Sequence, residues 1–246
     1  MKKNNNTKII FYFIIYFLLF FVLIYSGIKI YEWYRDKNKN NEIAQKIKET
    51  VIVESNGKNK EEYLIDFDKL KEQNNEAIAW IKVNNTNIEY PVVKTKNNEF
   101  YLNHSFDKSE NLGGWIFADY KNKFNGTDKN IVIYGHNMKD NSMFGTMQNI
   151  LNPEWYNNEE NTNIILKTEG KNYIYKVFSI YRIENEDYYI KTEFNNDSEF
   201  EQFLNTLKAR SIRDFNMDML ESDSILTLST CDNNNKYRVV LHAKKI

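Results

Sequence analysis

The sequence predicts a mainly β domain, a small barrel with peripheral helices, preceded by one N-terminal transmembrane helix. Three observations carry this. Residues 9–28 form an uncharged, almost wholly apolar run, as long as the roughly 20 helical residues that cross a bilayer core. From Ala77 onward, short apolar and β-branched runs recur between Asn-, Asp- and Gly-bearing turns, the pattern of strands in a barrel or sandwich. Helical periodicity is confined to brief segments around them.

The chain has 246 residues, enough for one domain and an appendage. Its net charge is −1, so no nucleic-acid partner is expected. Lys2, Lys3 and Lys8 precede the apolar run. The positive-inside rule therefore sets residues 1–8 in the cytoplasm, with 9–28 as a signal-anchor in the lipid bilayer and the rest outside. This describes a single-pass protein of the cell membrane. A cleaved signal peptide is the competing reading. The apolar run is long for that, and Tyr25-Ser26-Gly27 is a poor substitute for a small-residue cleavage site.

Residues 29–65 read as a juxtamembrane helix and linker whose role is spacing. Ile43, Ile47 and Val51 recur at helical spacing, and a loop is expected around 55–60. Residues 66–246 form the folded domain. Asp66 caps a short helix with Phe67 and Leu70 facing inward. Residues 77–83 and 87–93 make a hairpin across Asn84-Asn85-Thr86, and Pro91 places the second strand at an edge or ends it there. A helical turn is expected over 97–102, and Gly113-Gly114 feeds a strand. The buried strand 130–134 ends before Gly135-His136-Asn137, with a helix over 142–151. Strands 162–167 and 173–183 join at Glu169-Gly170. In the insertion 184–222, Ser198 and Glu201 suggest a capping box, and Phe200, Phe203, Leu204 and Leu207 line one helical face. Residues 224–230 and 237–244 are the last two strands.

Cys231 is the one cysteine of the chain. Outside the cell, an odd cysteine is a reactive thiol or an intermolecular link; inside a core it is an inert small hydrophobe. Count alone leaves both open. Strand parity puts Thr227, Ser229 and Cys231 on one face, and Arg238, Val240 and His242 on one face of the next strand. A guanidinium beside a thiol stabilises the thiolate and can later support an oxyanion. A leaving amine also needs a proton donor, and His titrates in the right range. His136 follows a buried strand, His104 lies in a polar loop, and His242 is set four residues along from Arg238. Position favours His136 without excluding the others.

T-L-S-T-C at 227–231, the Arg on the following strand and Y-G-H-N-M at 134–138 together resemble the sortases, cysteine transpeptidases of Gram-positive cell surfaces. W-I-K-V-N-N-T-N-I-E-Y-P-V-V at 80–93, N-N-E-F-Y-L-N-H-S-F at 97–106 and G-W-I-F-A-D-Y at 114–120 look like the class B branch. The resemblance covers residues 66–246. It implies a closed eight-stranded barrel, with Cys231 as nucleophile, His136 as general acid and Arg238 as the residue that orients substrate and supports the oxyanion. It implies a substrate groove lined by Asn98, Leu102, Asn185, Tyr189, Ile190, Ser229 and Asp232. The expected partners are secreted proteins bearing a C-terminal sorting motif, cleaved after Thr through a thioacyl-enzyme, and an amino nucleophile of a peptidoglycan precursor. No metal and no cofactor are expected. The loop 232–237 looks short for the family.

Two alternatives stand beside this reading. Other wall cysteine peptidases place Cys before His, and L,D-transpeptidases carry Arg almost beside Cys, where this chain has Asp232-Asn233. A non-catalytic membrane-tethered binding protein would hold Cys231 as inert core.

Overall fold

The computed structural model describes residues 4–49, 51–55, 61–184, 186–231 and 236–246. Its centre is a closed barrel. The strands are β3 (Ala77–Val83), β4 (Glu89–Val93), β5 (Phe117–Ala118), β6 (Asn130–His136), β7 (Asn163–Thr168), β8 (Lys171–Glu184), β9 (Ile225–Cys231) and β10 (Tyr237–Lys245). They close in the order β10-β8-β7-β3-β4-β5-β6-β9. A separate hairpin, β1 (Val51–Ser55) with β2 (Glu61–Ile65), lies before them.

The N-terminal helix α1 runs unbroken over Asn4–Lys48. Its first half is an apolar stretch with mean hydropathy 2.6, none of it buried, long enough to cross a membrane. Its second half is not a mere spacer. Asp36, Asn40 and Ile47 are buried, and Ile47 joins the main core. The expected helical stripe stops short of Val51, which pairs with Ile65 in the hairpin. Most of the loop expected around 55–60 lies outside the described residues.

The helix α2 (Phe67–Gln73) begins where expected. The Asp66 side chain accepts from the Lys69 amide at 3.0 Å, satisfying one of the orphan donors of the first turn. Two expectations along the barrel are corrected. Pro91 lies inside β4, opposite Trp80, and the strand continues to Val93. A ring without a donor is tolerated there because β5 is only two residues long and meets β4 at Val93↔Phe117. The strand β6 extends through His136, which pairs with Cys231 and is not a loop residue.

After β6 the expected helix is a 3-10 segment, Gly145–Leu151, followed by the one-turn α3 (Pro153–Tyr156). The insertion carries α4 (Asp197–Arg210). Its cap is Asn196, whose side chain accepts from Glu199 N at 2.9 Å, while Glu199 reaches back to Asn195 N at 2.6 Å. Ser198 already lies within the helix, so the Ser198–Glu201 box does not form. Asn196 has extended backbone angles, the geometry a cap requires. Phe200, Phe203, Leu204 and Leu207 are buried with Phe178, Tyr181, Ile183, Tyr189, Ile225 and Val240. This second core covers the outer wall of β8, β9 and β10. Leu226 and Leu228 belong instead to the main core, so β9 is buried on both faces.

Candidate active site

The strand β9 lies between β6, which it meets in parallel, and β10, which it meets antiparallel. In the parallel pair His136 is the register partner of Cys231. In the antiparallel pair Val240 faces Ser229, and the same register carried two residues on sets Arg238 opposite Cys231. The three residues therefore occupy one row across three neighbouring strands, at about 5 Å per strand step. The row beneath it is Tyr134, Ser229 and Val240.

Each side of the row has a support. His136 is half-buried, and its Nε2 lies 2.7 Å from the Leu102 carbonyl oxygen. A carbonyl only accepts, so Nε2 carries hydrogen and Nδ1 is left to exchange a proton. The chain reaches this contact through Gly114, whose φ is +54°. A Cβ there would lie 2.4 Å from Tyr101 O, 2.8 Å from Leu102 O and 3.0 Å from the His136 ring. On the other side Arg238 donates to the Tyr189 hydroxyl at 3.3 Å. That hydroxyl also meets Ser229 Oγ at 2.9 Å. Tyr189 and Ser229 are buried, so their polar atoms hold one another and the guanidinium.

Asn98 is half-buried and donates to Asp119 Oδ2 at 2.8 Å, while its Oδ1 accepts from Tyr120 N. Tyr134 donates to the same Asp119 oxygen at 2.8 Å. Burial first, then the Asp119 charge, push the Tyr134 hydroxyl above its ordinary range, with Arg238 opposing. It stays a neutral donor at ordinary pH. The Leu102 side chain is 40% exposed. Ile190 is half-buried and packs on the second core. Asn185 and Asp232 lie outside the described residues.

The other histidines are occupied elsewhere. His104 stacks on Phe100 with centroids 4.0 Å apart, and its Nδ1 meets the Phe100 carbonyl. His242 is fully buried between the Tyr181 hydroxyl and Thr227 Oγ1, each at 2.9 Å. Burial alone pushes its pKa down to about 3, so it is neutral and shut away from solvent. Among the described residues no cluster of His, Cys, Asp and Glu could hold a metal ion.

Sequence reasoning missed Tyr134, Asp119 and Gly114. Tyr134 was within reach of it, since it shares strand parity with His136. Asp119 carries no signal at the level of sequence, because its role arises from Asn98 and Tyr134 converging on one carboxylate.

The comparisons with known proteins agree with this architecture. A sortase-domain family model matches residues 81–246. Sortase B of Listeria monocytogenes is 33% identical over 233 residues, 92% of each chain. The crystal structure of Bacillus anthracis sortase B in complex with AAEK1 superposes with a TM-score of 0.76 at 30% identity, over 87% of this chain and 99% of that one. A Staphylococcus aureus sortase B–substrate complex gives a TM-score of 0.69 at 34% identity, over 73% and 86% of the two chains. With its closed eight-stranded barrel and matching domain, the chain belongs to the sortase family and, within it, to the class B cysteine transpeptidases.

Proposed function

We propose that this protein is a membrane-anchored transpeptidase that cleaves a C-terminal sorting motif of secreted proteins after Thr and transfers the acyl group to an amine of a peptidoglycan precursor. The row His136, Cys231, Arg238 across β6, β9 and β10 carries the reading. The Cys231 thiolate attacks the Thr carbonyl carbon. The oxyanion of the tetrahedral adduct is stabilised by the Arg238 guanidinium, which never loses its charge. The C–N bond breaks as His136 gives its proton to the leaving amine, leaving a thioester on Cys231. An amino group then attacks the thioester carbonyl, its proton returns to His136, and the thiolate departs. The product is an amide, and the enzyme regains its starting protonation.

The groove in this proposal runs along Asn98, Leu102, Tyr189, Ile190 and Ser229; the resemblance alone adds Asn185 and Asp232 to it. Tyr189 and Ser229 act there by holding Arg238, since both are buried. A related sortase B from S. aureus has been solved with a substrate, which supports a peptide in the equivalent groove here. The lysines before residue 9 and the exposed apolar half of α1 support a cytoplasmic N-terminus with the barrel outside.

The full chain in detergent micelles, mixed with a library of sorting-motif peptides, should form a thioacyl adduct visible by intact mass. Cys231→Ala should form none, and His136→Ala should lose turnover by at least ~100-fold, as expected for a general acid. An active Cys231→Ala protein would overturn the proposal.

A further inference from the structure

The second half of α1 does more than hold the barrel near the bilayer. Asp36 and Asn40 are one helical turn apart and share a face. Both are buried against the segment that follows Leu102. The Asn40 amide donates to the Gly114 carbonyl at 3.1 Å and to Asn111 Oδ1 at 3.3 Å. Its oxygen accepts from Ser105 Oγ at 2.6 Å and from Asn111 Nδ2 at 3.1 Å. The Asp36 carboxylate accepts from Leu112 N at 3.1 Å, and its backbone carbonyl from Asn111 Nδ2 at 2.8 Å. Asn111 and Ser105 are themselves buried.

This cluster ends on the residue that abuts the site. Gly114, whose carbonyl Asn40 holds, is the residue that packs against both the Leu102 carbonyl and the His136 ring. Trp115 N donates to Tyr101 O at 2.9 Å, locking the two arms of the segment together. From α1 to the imidazole the path is therefore Asn40, Gly114, Leu102 carbonyl, His136. Every link is a hydrogen bond or a contact too close for a Cβ. A buried amide that saturates donors and acceptors on both sides fixes geometry more sharply than apolar packing does.

We propose that Asn40, assisted by Asp36, is a positioning residue that sets the orientation of His136, so that the anchor helix is part of the active site's support. This rests on the proposed role of His136. A misplacement of about 1 Å in a reacting group can cost on the order of 100-fold in rate, and loss of Asn40 removes the hydrogen bonds by which it ties the segment to α1.

The test uses the full chain in detergent micelles, labelled with ¹⁵N-histidine. In Asn40→Ala the His136 imidazole signals should move. Those of His242, buried in the wall of the barrel away from this segment, should stay in place. With a peptide that the wild type turns over, kcat should fall about 10- to 100-fold, while KM should change less than about twofold. Ser105→Ala, which removes one neutral bond to Asn40, should shift the His136 signals in the same direction by less. It decides the matter if Asn40→Ala does not fold. Unchanged His136 signals in folded variants would overturn the proposal. If His136→Ala proved active, the acid role would fail, while the imidazole spectrum would still report whether α1 positions that ring.

Discussion

At Gly114 the backbone is left-handed and three groups press on the missing side chain. An Ala here strains the backbone and drives a methyl into the Tyr101 and Leu102 carbonyls, a combination that costs about 1–3 kcal/mol. Gly114→Ala should lower the thermal midpoint and, because the Leu102 carbonyl carries the His136 contact, slow thioacyl formation further than the lost stability accounts for. Differential scanning fluorimetry beside a single-turnover assay checks both. Residue identity was legible where chemistry restricts it. The lone thiol, the Arg on the next strand and the His after residues 130–134 stand out by residue type and spacing, and the resemblance alone gave them roles. The supports were not, since Asp119 and Asn40 are ordinary polar residues until the fold surrounds them. Sequence parity grouped Tyr189's partner Ser229 with Cys231, but it could not tell that the Ser229 hydroxyl would be buried against Tyr189.

The elements follow local rules except where tertiary contacts outweigh them. The four apolar residues of α4 are buried as their spacing predicts, yet the cap moved to Asn196. Asn196→Ala should destabilise the insertion by about 1 kcal/mol, whereas Ser198→Ala should change little. Urea midpoints for the two variants distinguish them, and the reverse order would restore the Ser198 box. The strand β4 keeps Pro91 because its neighbour β5 is so short. This depends on closure of the whole sheet, and no local signal could announce it. Hydrophobic periodicity found α1 in two pieces, an anchor and a stripe around Ile47. Their continuity shows only in the structure, where buried Asp36 and Asn40 bridge the polar stretch between them.

At the scale of the molecule, His242 ties barrel stability to pH. Its folded pKa lies near 3, below the ~6.5 of an unfolded histidine. The unfolded chain therefore takes up a proton that the folded chain refuses. This contribution is full above about pH 6.5 and falls as pH drops, by at most about 1.4 kcal/mol per unit, until the folded pKa is reached. Denaturation midpoints measured between neutral and mildly acidic pH should decline, and His242→Gln should flatten that decline. An unchanged slope would point to carboxylates instead. The fold class was legible in the count and spacing of short strands, and so was the pairing of β9 with β10, but the pairing of β9 with β6 was not. A parallel pair has no connecting hairpin to announce it. That pairing also has a temporal consequence. His136 and Cys231 become neighbours only when β9 enters between β6 and β10, and contacts so distant along the chain bear their closure entropy before they gain any reward. A partly folded chain therefore has Cys231 without its register partner His136, the proposed proton donor. On the proposed roles of His136 and Cys231, newly made protein is latent by topology, with no inhibitory segment required, and it becomes competent for chemistry only at the step that completes the barrel.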